Sequence, residues 1–472
     1  MSAIARGIGW ALMSQMGRQL AVFVSTVFLA RLLQPADFGL LGMATVFTGL
    51  ALLLNDAGVS GALVQREHID ETHLSSMFWL NQIVGLALCL GTLALAPLIA
   101  GFFDTPALAR VLEALSLLFV AGALGIVQQC LLVRAMDFRR LAMIETSAVL
   151  LAGVAAVVGA AAGLGVWSLV LQLLLVPTLT SAGLWLVSDW RPRRIFDRAA
   201  LSELVPFGLN VAGFNGVNYL ARNLDYLFVG KFLGASPLGY YTLAYRLMVY
   251  PLQAVSTSVS RVLFPAFSRA AGRPDELRTG YLKMTKGVSM VTFPMIFGIF
   301  AVAPEFVEVV YGAKWAPTAD ILRILCVAGL AQSVGSTAGA MYQAINRPDI
   351  QLRMALLNTS LTAVVLAIGV QWGLLGVATA YAAYAFVWVH FSLYVLTRQI
   401  ELNYWHMYRR LGPSLLASSL MLAAVTAIKP HLPAAPVAGL VTMIVFGALA
   451  HSAALVLLGE LRRRGGRLQL RL

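Results

Sequence analysis

The chain has 472 residues, of which 59% are hydrophobic and 12% are charged, with a mean hydropathy of +0.81. A soluble domain carries about 25% charged residues, so a soluble fold could not hide this much apolar surface and lipid must be the solvent for much of the chain. The net charge of +13 would suggest nucleic acid for a soluble protein. In a membrane protein it reflects topology, because cytoplasmic loops collect Lys and Arg. We therefore expect no nucleic-acid partner.

Apolar runs of membrane-spanning length recur along the whole sequence. A transmembrane helix needs about 20 mostly apolar residues. The first run is too long for the hydrophobic region of a signal peptide and lacks a clear cleavage site, so we expect it to remain as a membrane helix. The sequence predicts an all-α polytopic membrane protein with about fourteen spans, at residues 8–33, 39–63, 77–102, 108–133, 141–164, 166–188, 204–233, 237–267, 284–311, 318–345, 352–371, 373–397, 412–429 and 434–459.

The loops between these spans differ in charge from one side of the membrane to the other. With the N-terminus inside, most of the 34 Lys and Arg residues fall on the cytoplasmic side. The asymmetry predicts an even number of spans with both termini in the cytoplasm. No loop is long enough for a soluble domain. The opposite side holds only Arg31, Arg110, Lys231, Lys314 and Lys429.

A faint internal repeat divides the chain. ARLLQPADFGLLGMA at 30–44 lies 200 positions before GKFLGASPLGYYTLA at 230–244. Each stretch ends one predicted span and begins the next. The identical pairs are Leu33 with Leu233, Gly39 with Gly239 and Ala44 with Ala244. The repeat predicts an N-terminal six-helix bundle at 1–200, a second at 201–400, and two extra transmembrane helices with a basic cytoplasmic tail at 401–472.

Three arginines lie deep within predicted spans: Arg18, Arg222 and Arg246. A charge at a helix centre costs about 2.5–3.5 kcal/mol on insertion scales, so such residues usually face a bundle interior or a wet cavity. Each arginine has polar neighbours at helical spacing, which predicts one shared polar cavity. We expect its polar lining to comprise Gln15, Asn215, Asn218, Tyr245, Tyr250, Gln253 and Gln332.

Structural alternatives exist for the charged groups. Arg222 and Asp225, three residues apart, can neutralise each other, and Asp225 can instead orient Arg222 or take part in ion coupling. Arg18 has no acid on its own helix but can pair with Asp225 or Asp56 from another. Glu145 lies near a span end, where a structural role is favoured. The single histidines, His390 and His451, are expected to be core residues.

Several kinds of chemistry have no signature in the sequence. There is no GxxxxGK[ST] loop for ATP, and no HExxH or Cys/His cluster for a metal. The three cysteines, Cys89, Cys130 and Cys326, fall in apolar runs and are expected to be free thiols. We therefore expect neither a catalytic residue nor a cofactor or metal. The basic runs at 191–194 and 462–464 are interpreted as topology signals and contacts with membrane lipid headgroups.

Three motifs resemble a known family. They are ARLLQPADFGLLGMA at 30–44, NDAGVSGALVQRE at 55–67 and ARNLDYLFVGKFLGASPLGYYTLAYRLMVYPL at 221–252. Together they resemble the polysaccharide transporter branch of the multidrug/oligosaccharidyl-lipid/polysaccharide superfamily, and within it the Wzx-type exporters of the colanic-acid kind. The motif residues that carry over are Arg222, Asp225, Gly230, Gly234, Gly239, Tyr245 and Pro251. For the glycines, the expected role is close packing or a turn.

The resemblance implies a flippase rather than an enzyme. It implies alternating access that carries undecaprenyl-diphosphate-linked oligosaccharide repeat units from the inner to the outer leaflet of the bacterial inner membrane, for exopolysaccharide or O-antigen biosynthesis. A polysaccharide polymerase and export machinery would be further partners. The drug-exporting branch often has an acid on the first span, whereas this chain has Arg18 there. A drug or cation antiporter, a lipid II flippase and, at lower weight, a membrane polysaccharide polymerase remain as alternatives.

Overall fold

Long apolar helices account for nearly all of the secondary structure. The computed structural model describes residues 3–56, 63, 69–197, 215–216, 218–270, 273–433, 435–464 and 467–470, with all of their side chains except those at 3–14, 56, 254–270, 340, 348 and 461–470. Contacts divide the chain into two compact units, Met1–Gly239 and Tyr240–Leu472. The predicted boundaries at 200 and 400 stay a prediction.

The first unit contains nine helices within the part of the chain that the structure describes. They are α1 (Ala3–Leu32), α2 (Pro35–Asp56), α3 (Glu71–Phe102), α4 (Ala107–Leu115), α5 (Leu117–Ala123), α6 (Ile126–Arg134), α7 (Phe138–Ala161), α8 (Val166–Val187) and α9 (Leu224–Leu233). Helix α10 (Ala235–Ala270) begins in this unit and continues into the second.

The second unit is built around one long helix. Helix α11 (Pro274–Tyr311) packs against α12 (Ala316–Ala344), α15 (Tyr404–Ile428) and α16 (Pro436–Leu457). Helix α14 (Gly373–Gln399) packs on α12 and on α13 (Pro348–Gly369). Short 3₁₀ turns lie at Ala313–Trp315, Val370–Trp372 and Lys429–His431, and an antiparallel hairpin pairs β1 (Leu461–Arg464) with β2 (Arg467–Leu470).

Local sequence explains where several helices begin and end. Asp70 caps α3 by accepting a hydrogen bond from the backbone amide of His73 at 2.9 Å, and Asp137 caps α7 in the same way. These side chains satisfy amides that have no partner within the helix. Gly234 and Gly312 end α9 and α11 at φ +90° and +97°, backbone conformations that glycine adopts without strain.

Ten helical segments within the described residues are long and apolar enough to cross a membrane. One of them, Asp349–Gln399, is 51 residues long and contains both α13 and α14. Helices α1 and α10 are 30 and 36 residues long, but they contain more polar residues. The chain is a multi-pass helical membrane protein, as predicted, while the count of fourteen spans stays a prediction.

Two glycines allow an intimate crossing of α2 and the start of α10. A Cβ atom on Gly39 would overlap the carbonyl oxygen of Ala235, and a Cβ atom on Gly239 would overlap that of Pro35. The contact is reciprocal, because Gly239 lies 200 positions after Gly39 and Ala235 lies 200 positions after Pro35. These turns are the ones that show the faint sequence repeat. The repeat itself stays a prediction.

A buried ion pair fixes the end of the last helix within the second unit. The Lys286 Nζ atom lies 2.6 Å from Glu460 Oε2, and the two side chains are only 5% and 11% exposed. Next to it, the hydroxyl groups of Ser289 and Ser414 lie 3.1 Å apart and join α11 to α15. Breaking one half of such a pair leaves a buried charge without compensation, so the contact ties Glu460, just beyond α16, to α11.

Candidate substrate site

A cavity of about 460 Å³ lies inside the first unit. Helices α2, α5, α6 and α8 contribute its walls together with Tyr219. Most of the lining is apolar, and the polar groups are spread among Thr45, Thr48, Gln129, Thr180, Ser181 and Tyr219. An apolar pocket with a few polar groups is the usual form of a site for a small ligand or part of a large one.

An interrupted span contributes one wall of this cavity. The predicted fourth span is not one helix but three, α4 to α6, with interruptions at Ser116 and at Gly125. On the opposite wall, Gly49 has no side chain, and the Tyr219 ring occupies the place where a Cβ atom would lie. The Tyr219 hydroxyl group donates to the carbonyl oxygen of Thr45 at 2.8 Å. Tyr219 is therefore held as a fixed wall of the cavity.

Arg18 is paired with an acid from another helix. Its guanidinium group forms an ion pair with Glu145 on α7 and also donates to Gln15 at 2.9 Å. Glu145 in turn accepts a hydrogen bond of 3.2 Å from Gln129, which lines the cavity. A continuous polar chain thus joins the α1 arginine to the cavity wall.

The identity of this acid corrects the sequence prediction. Asp225 and Asp56 were the two acids considered as possible partners of Arg18, but the structure places Glu145 there. The reason is packing: α1 lies along α7, where small buried residues such as Ala152 and Gly153 allow close approach. The Asp56 side chain and most of the motif at 55–67 lie outside the described residues.

The polar stripe before α9 is interrupted. Asn215, Asn218 and Arg222 are exposed, whereas Asp225 is only 3% exposed. The helical path turns at Asn223, between the three exposed residues and the buried Asp225.

Arg222 and Asp225 have different local environments. One carboxylate oxygen of Asp225 accepts a hydrogen bond of 3.0 Å from the backbone amide of Tyr226. Arg222 has no hydrogen bond or ion pair among the described residues. It lies three residues beyond Tyr219, which lines the cavity. The arginine is therefore available to a ligand that reaches this face.

The second unit holds the remaining predicted residues. Arg246 and Gln253 are exposed on α10, and Tyr245 and Tyr250 are half-buried. Arg246 interacts electrostatically with Tyr250. On α12, the Gln332 amide donates to the hydroxyl group of Tyr381 at 2.9 Å, so part of its polar capacity is used within the protein. The grouping of all these residues in one cavity stays a prediction.

Several structural expectations agree with the geometry. Gly230 packs against Phe103, and Gly234 occupies the turn before α10. His390, which was expected to be a core residue, is only half-buried and hydrogen-bonds to the Phe386 carbonyl oxygen at 2.7 Å. These three residues have packing or turn roles. Pro251 is buried within α10.

Sequence reasoning missed Glu145 and Gln129 as members of the site. Glu145 is the only acid in α7 and falls within the predicted span 141–164. An acid inside a membrane span is itself a signal of a polar partner. Its distance of 127 positions from Arg18 gave no indication of which partner it would have.

Comparison with known sequences identifies the family. Residues 28–320 match the family model described as polysaccharide biosynthesis protein. The chain belongs to this family. It is 32% identical over 384 residues to the lipopolysaccharide biosynthesis protein WzxC of Escherichia coli strain K12, covering 80% of this chain and 77% of that protein. It is also 28% identical over 404 residues to the teichuronic acid biosynthesis protein TuaB of Bacillus subtilis strain 168, covering 85% of this chain and 83% of that protein.

A third relative and two solved structures complete the comparison. The succinoglycan biosynthesis transport protein ExoT of Rhizobium meliloti strain 1021 is 30% identical, covering 69% of this chain and 66% of that protein. The lipid II flippase MurJ in an inward closed conformation aligns with a TM-score of 0.77 at 16% identity, over 96% of this chain and 98% of that chain. An inward-facing multidrug resistance MATE family transporter aligns with a TM-score of 0.65 at 18% identity, over 81% of this chain and 94% of that chain. These likenesses show that the chain shares the fold of these two solved proteins.

Proposed function

We propose that this protein is a flippase, not an enzyme, for undecaprenyl-diphosphate-linked oligosaccharide repeat units. It carries them by alternating access from the inner to the outer leaflet of the bacterial inner membrane, with both of its own termini in the cytoplasm. The product serves surface polysaccharide biosynthesis. Family membership supports the substrate class, since the relatives are named for lipopolysaccharide, teichuronic acid and succinoglycan biosynthesis.

The observation that carries the proposal is the intramembrane arginine beside a cavity. Arg18 reaches the cavity wall through Glu145 and Gln129, and Arg222 is exposed one turn beyond the wall residue Tyr219. A diphosphate brings negative charge into a medium of low dielectric constant. Guanidinium groups offset that charge and match phosphate oxygens with two parallel donors.

The cavity lining suits a large neutral group attached to the diphosphate. Hydroxyl groups of Thr45, Thr48 and Ser181 already donate to backbone carbonyls, and their oxygen atoms keep lone pairs for a ligand. Apolar side chains such as Leu52 and Leu173 fill the space between them. Many weak contacts of this kind allow oligosaccharides of varied composition, or a prenyl chain, to bind with low specificity.

Two members of the same superfamily provide the main alternatives. The fold is shared with a lipid II flippase and with multidrug transporters. A lipid II flippase would use the same arginines, since its substrate also carries a diphosphate. A cation antiporter fits less well, because an exposed Arg222 would repel its substrate.

The direct test replaces Arg18, Arg222 or Arg246 with alanine in cells lacking the native gene. We expect lost surface polysaccharide and accumulated lipid-linked repeat units, at normal protein levels. Arg194→Ala is the matched control, because Arg194 is exposed and lies outside the helices. Full complementation by all three site variants would overturn the proposed site. Rescue of peptidoglycan precursor export or drug resistance by the wild-type protein would favour the alternatives.

A further inference from the structure

We propose that Glu145 is the internal counter-ion of the substrate site, which holds Arg18 in the empty transporter and gives it up to the lipid diphosphate. This inference rests on the proposed function. It assigns a role to an acid that neither the sequence motifs nor the arginine-based site accounts for. The juxtaposition that carries it is the chain from Gln15 through Arg18 and Glu145 to Gln129.

Each oxygen of the Glu145 carboxylate has its own partner. Oε2 pairs with Arg18 Nη1, and Oε1 accepts from Gln129 Nε2 at 3.2 Å. Arg18 uses its other terminal nitrogen, Nη2, to donate to Gln15 at 2.9 Å. The guanidinium group has five N–H donors, so some remain for a phosphate even before the acid is displaced.

The pair is open to an incoming ligand. The side chains of Arg18 and Glu145 are 27% and 20% exposed, in contrast to 5% and 11% for the buried Lys286 and Glu460. Carboxylate and phosphate oxygens are acceptors of the same kind for arginine, and phosphate offers more charge. A diphosphate can therefore replace the carboxylate without first separating α1 from α7.

Glu145 is the single acid on helices α1, α6, α7 and α8. Helices α1, α6 and α8 contain no Asp or Glu, and α7 contains no other. The basic residues nearest to Glu145 along α7 are Arg139 and Arg140, at the beginning of the helix. Arg140 is itself paired with Asp137. Removing the Glu145 carboxylate therefore leaves Arg18 without an acidic partner on these four helices.

The arrangement explains how an arginine that binds diphosphate can also release it. An unpaired guanidinium group in the membrane would bind its ligand tightly and be costly in the empty state. With Glu145 present, ligand must compete for Arg18, and the returning carboxylate helps to expel it. Gln129 couples this exchange to occupation of the cavity, because Gln129 lines the cavity and also donates a hydrogen bond to Glu145.

The test is binding of undecaprenyl diphosphate to the purified full-length protein in nanodiscs. We expect Glu145→Gln to bind about tenfold or more tightly than the wild type, because a charged competitor is removed. In cells the same variant should export less polysaccharide, since release is slowed. Glu305→Gln is the control, because Glu305 pairs with Lys429 at 2.8 Å within the second unit and is not one of the residues that line the cavity. The double variant Arg18→Ala, Glu145→Gln should bind like Arg18→Ala alone.

The outcomes separate this inference from the proposed function. If the wild-type protein binds no lipid diphosphate, the proposed function fails. If the wild type binds it and folded Glu145→Gln binds equally or more weakly, the counter-ion role is wrong. Should Glu145→Gln fail to fold, Glu145→Asp provides the second test, because its shorter side chain weakens the pair but keeps the charge. Binding by Glu145→Asp that is no tighter than that of the wild type would also overturn the proposal.

Discussion

The reciprocal glycine crossing of α2 and α10 makes the sharpest structural prediction. Replacing Gly39 with alanine places a methyl group on the carbonyl oxygen of Ala235. The obstacle is backbone, so no side-chain rotation can relieve it, and the two helices must separate. Overpacking of this kind costs about 1–3 kcal/mol. Because alanine gains up to about 1 kcal/mol of helix propensity over glycine, part of that cost is offset.

Gly91→Ala is the matched control for this substitution. Gly91 lies within α3 and has no atom within 4 Å of its would-be Cβ, so the variant reports helix propensity alone. We expect Gly39→Ala and Gly239→Ala to unfold at lower temperature than Gly91→Ala, by a free-energy difference of about 1–3 kcal/mol. Thermal unfolding of the purified proteins in one detergent measures this. Equal midpoints for Gly39→Ala and Gly91→Ala would refute the close backbone approach.

Three further predictions concern charged groups. Lys286→Met should lower the free energy of unfolding by about 3–5 kcal/mol, and adding Glu460→Met should recover much of the loss. Chemical unfolding measures both variants, and a clearly smaller loss for Lys286→Met alone would contradict a buried ion pair. Lys231 and Asp104 form an exposed pair at 2.6 Å, so Lys231→Met should change stability by less than about 1 kcal/mol in the same assay. Backbone hydrogen bonding at the start of α3 holds the pKa of Asp70 below its usual range. The stability that Asp70 contributes is therefore present above the pKa of this carboxyl in the unfolded chain and is lost as pH falls through its pKa in the folded protein. An Asp70→Asn variant should lose this pH dependence. An unfolding free energy that varies with acid pH as in the wild type would contradict the prediction.

The sequence was sufficient for the membrane class and the family. The spans follow from the length of the apolar runs, and the helix ends follow from proline and capping residues. These are local properties of the sequence, so they do not depend on how the helices pack. The resemblance carried by residues 30–44 and 221–252 agrees with the family that the chain belongs to. Gly239 was recognised as a packing or turn residue for the same reason, since glycine at a helix entry is a local signal.

The site was harder to predict because its partners are set by helix packing. Arg18 was recognised as a buried charge, but its acid depends on which helix lies beside α1. Nothing in the spacing of Arg18 and Glu145 reports that neighbour. Asp225 differs from the preceding polar residues for another reason: helical spacing assumes one unbroken helix, and the chain turns at Asn223. Helical spacing identifies a face only within a continuous helix.

The central claim is that the chain moves a lipid diphosphate-linked oligosaccharide across the bilayer. The most direct measurement reconstitutes the purified protein in liposomes and follows a lipid-linked oligosaccharide from the host strain as it becomes accessible on the opposite leaflet. We predict transfer by the wild type and a large loss with Arg18→Ala at equal protein content. Two results together would contradict the account. The first is transfer no faster than in protein-free liposomes, and the second is a deletion strain in which lipid-linked repeat units stay accumulated after the gene is restored.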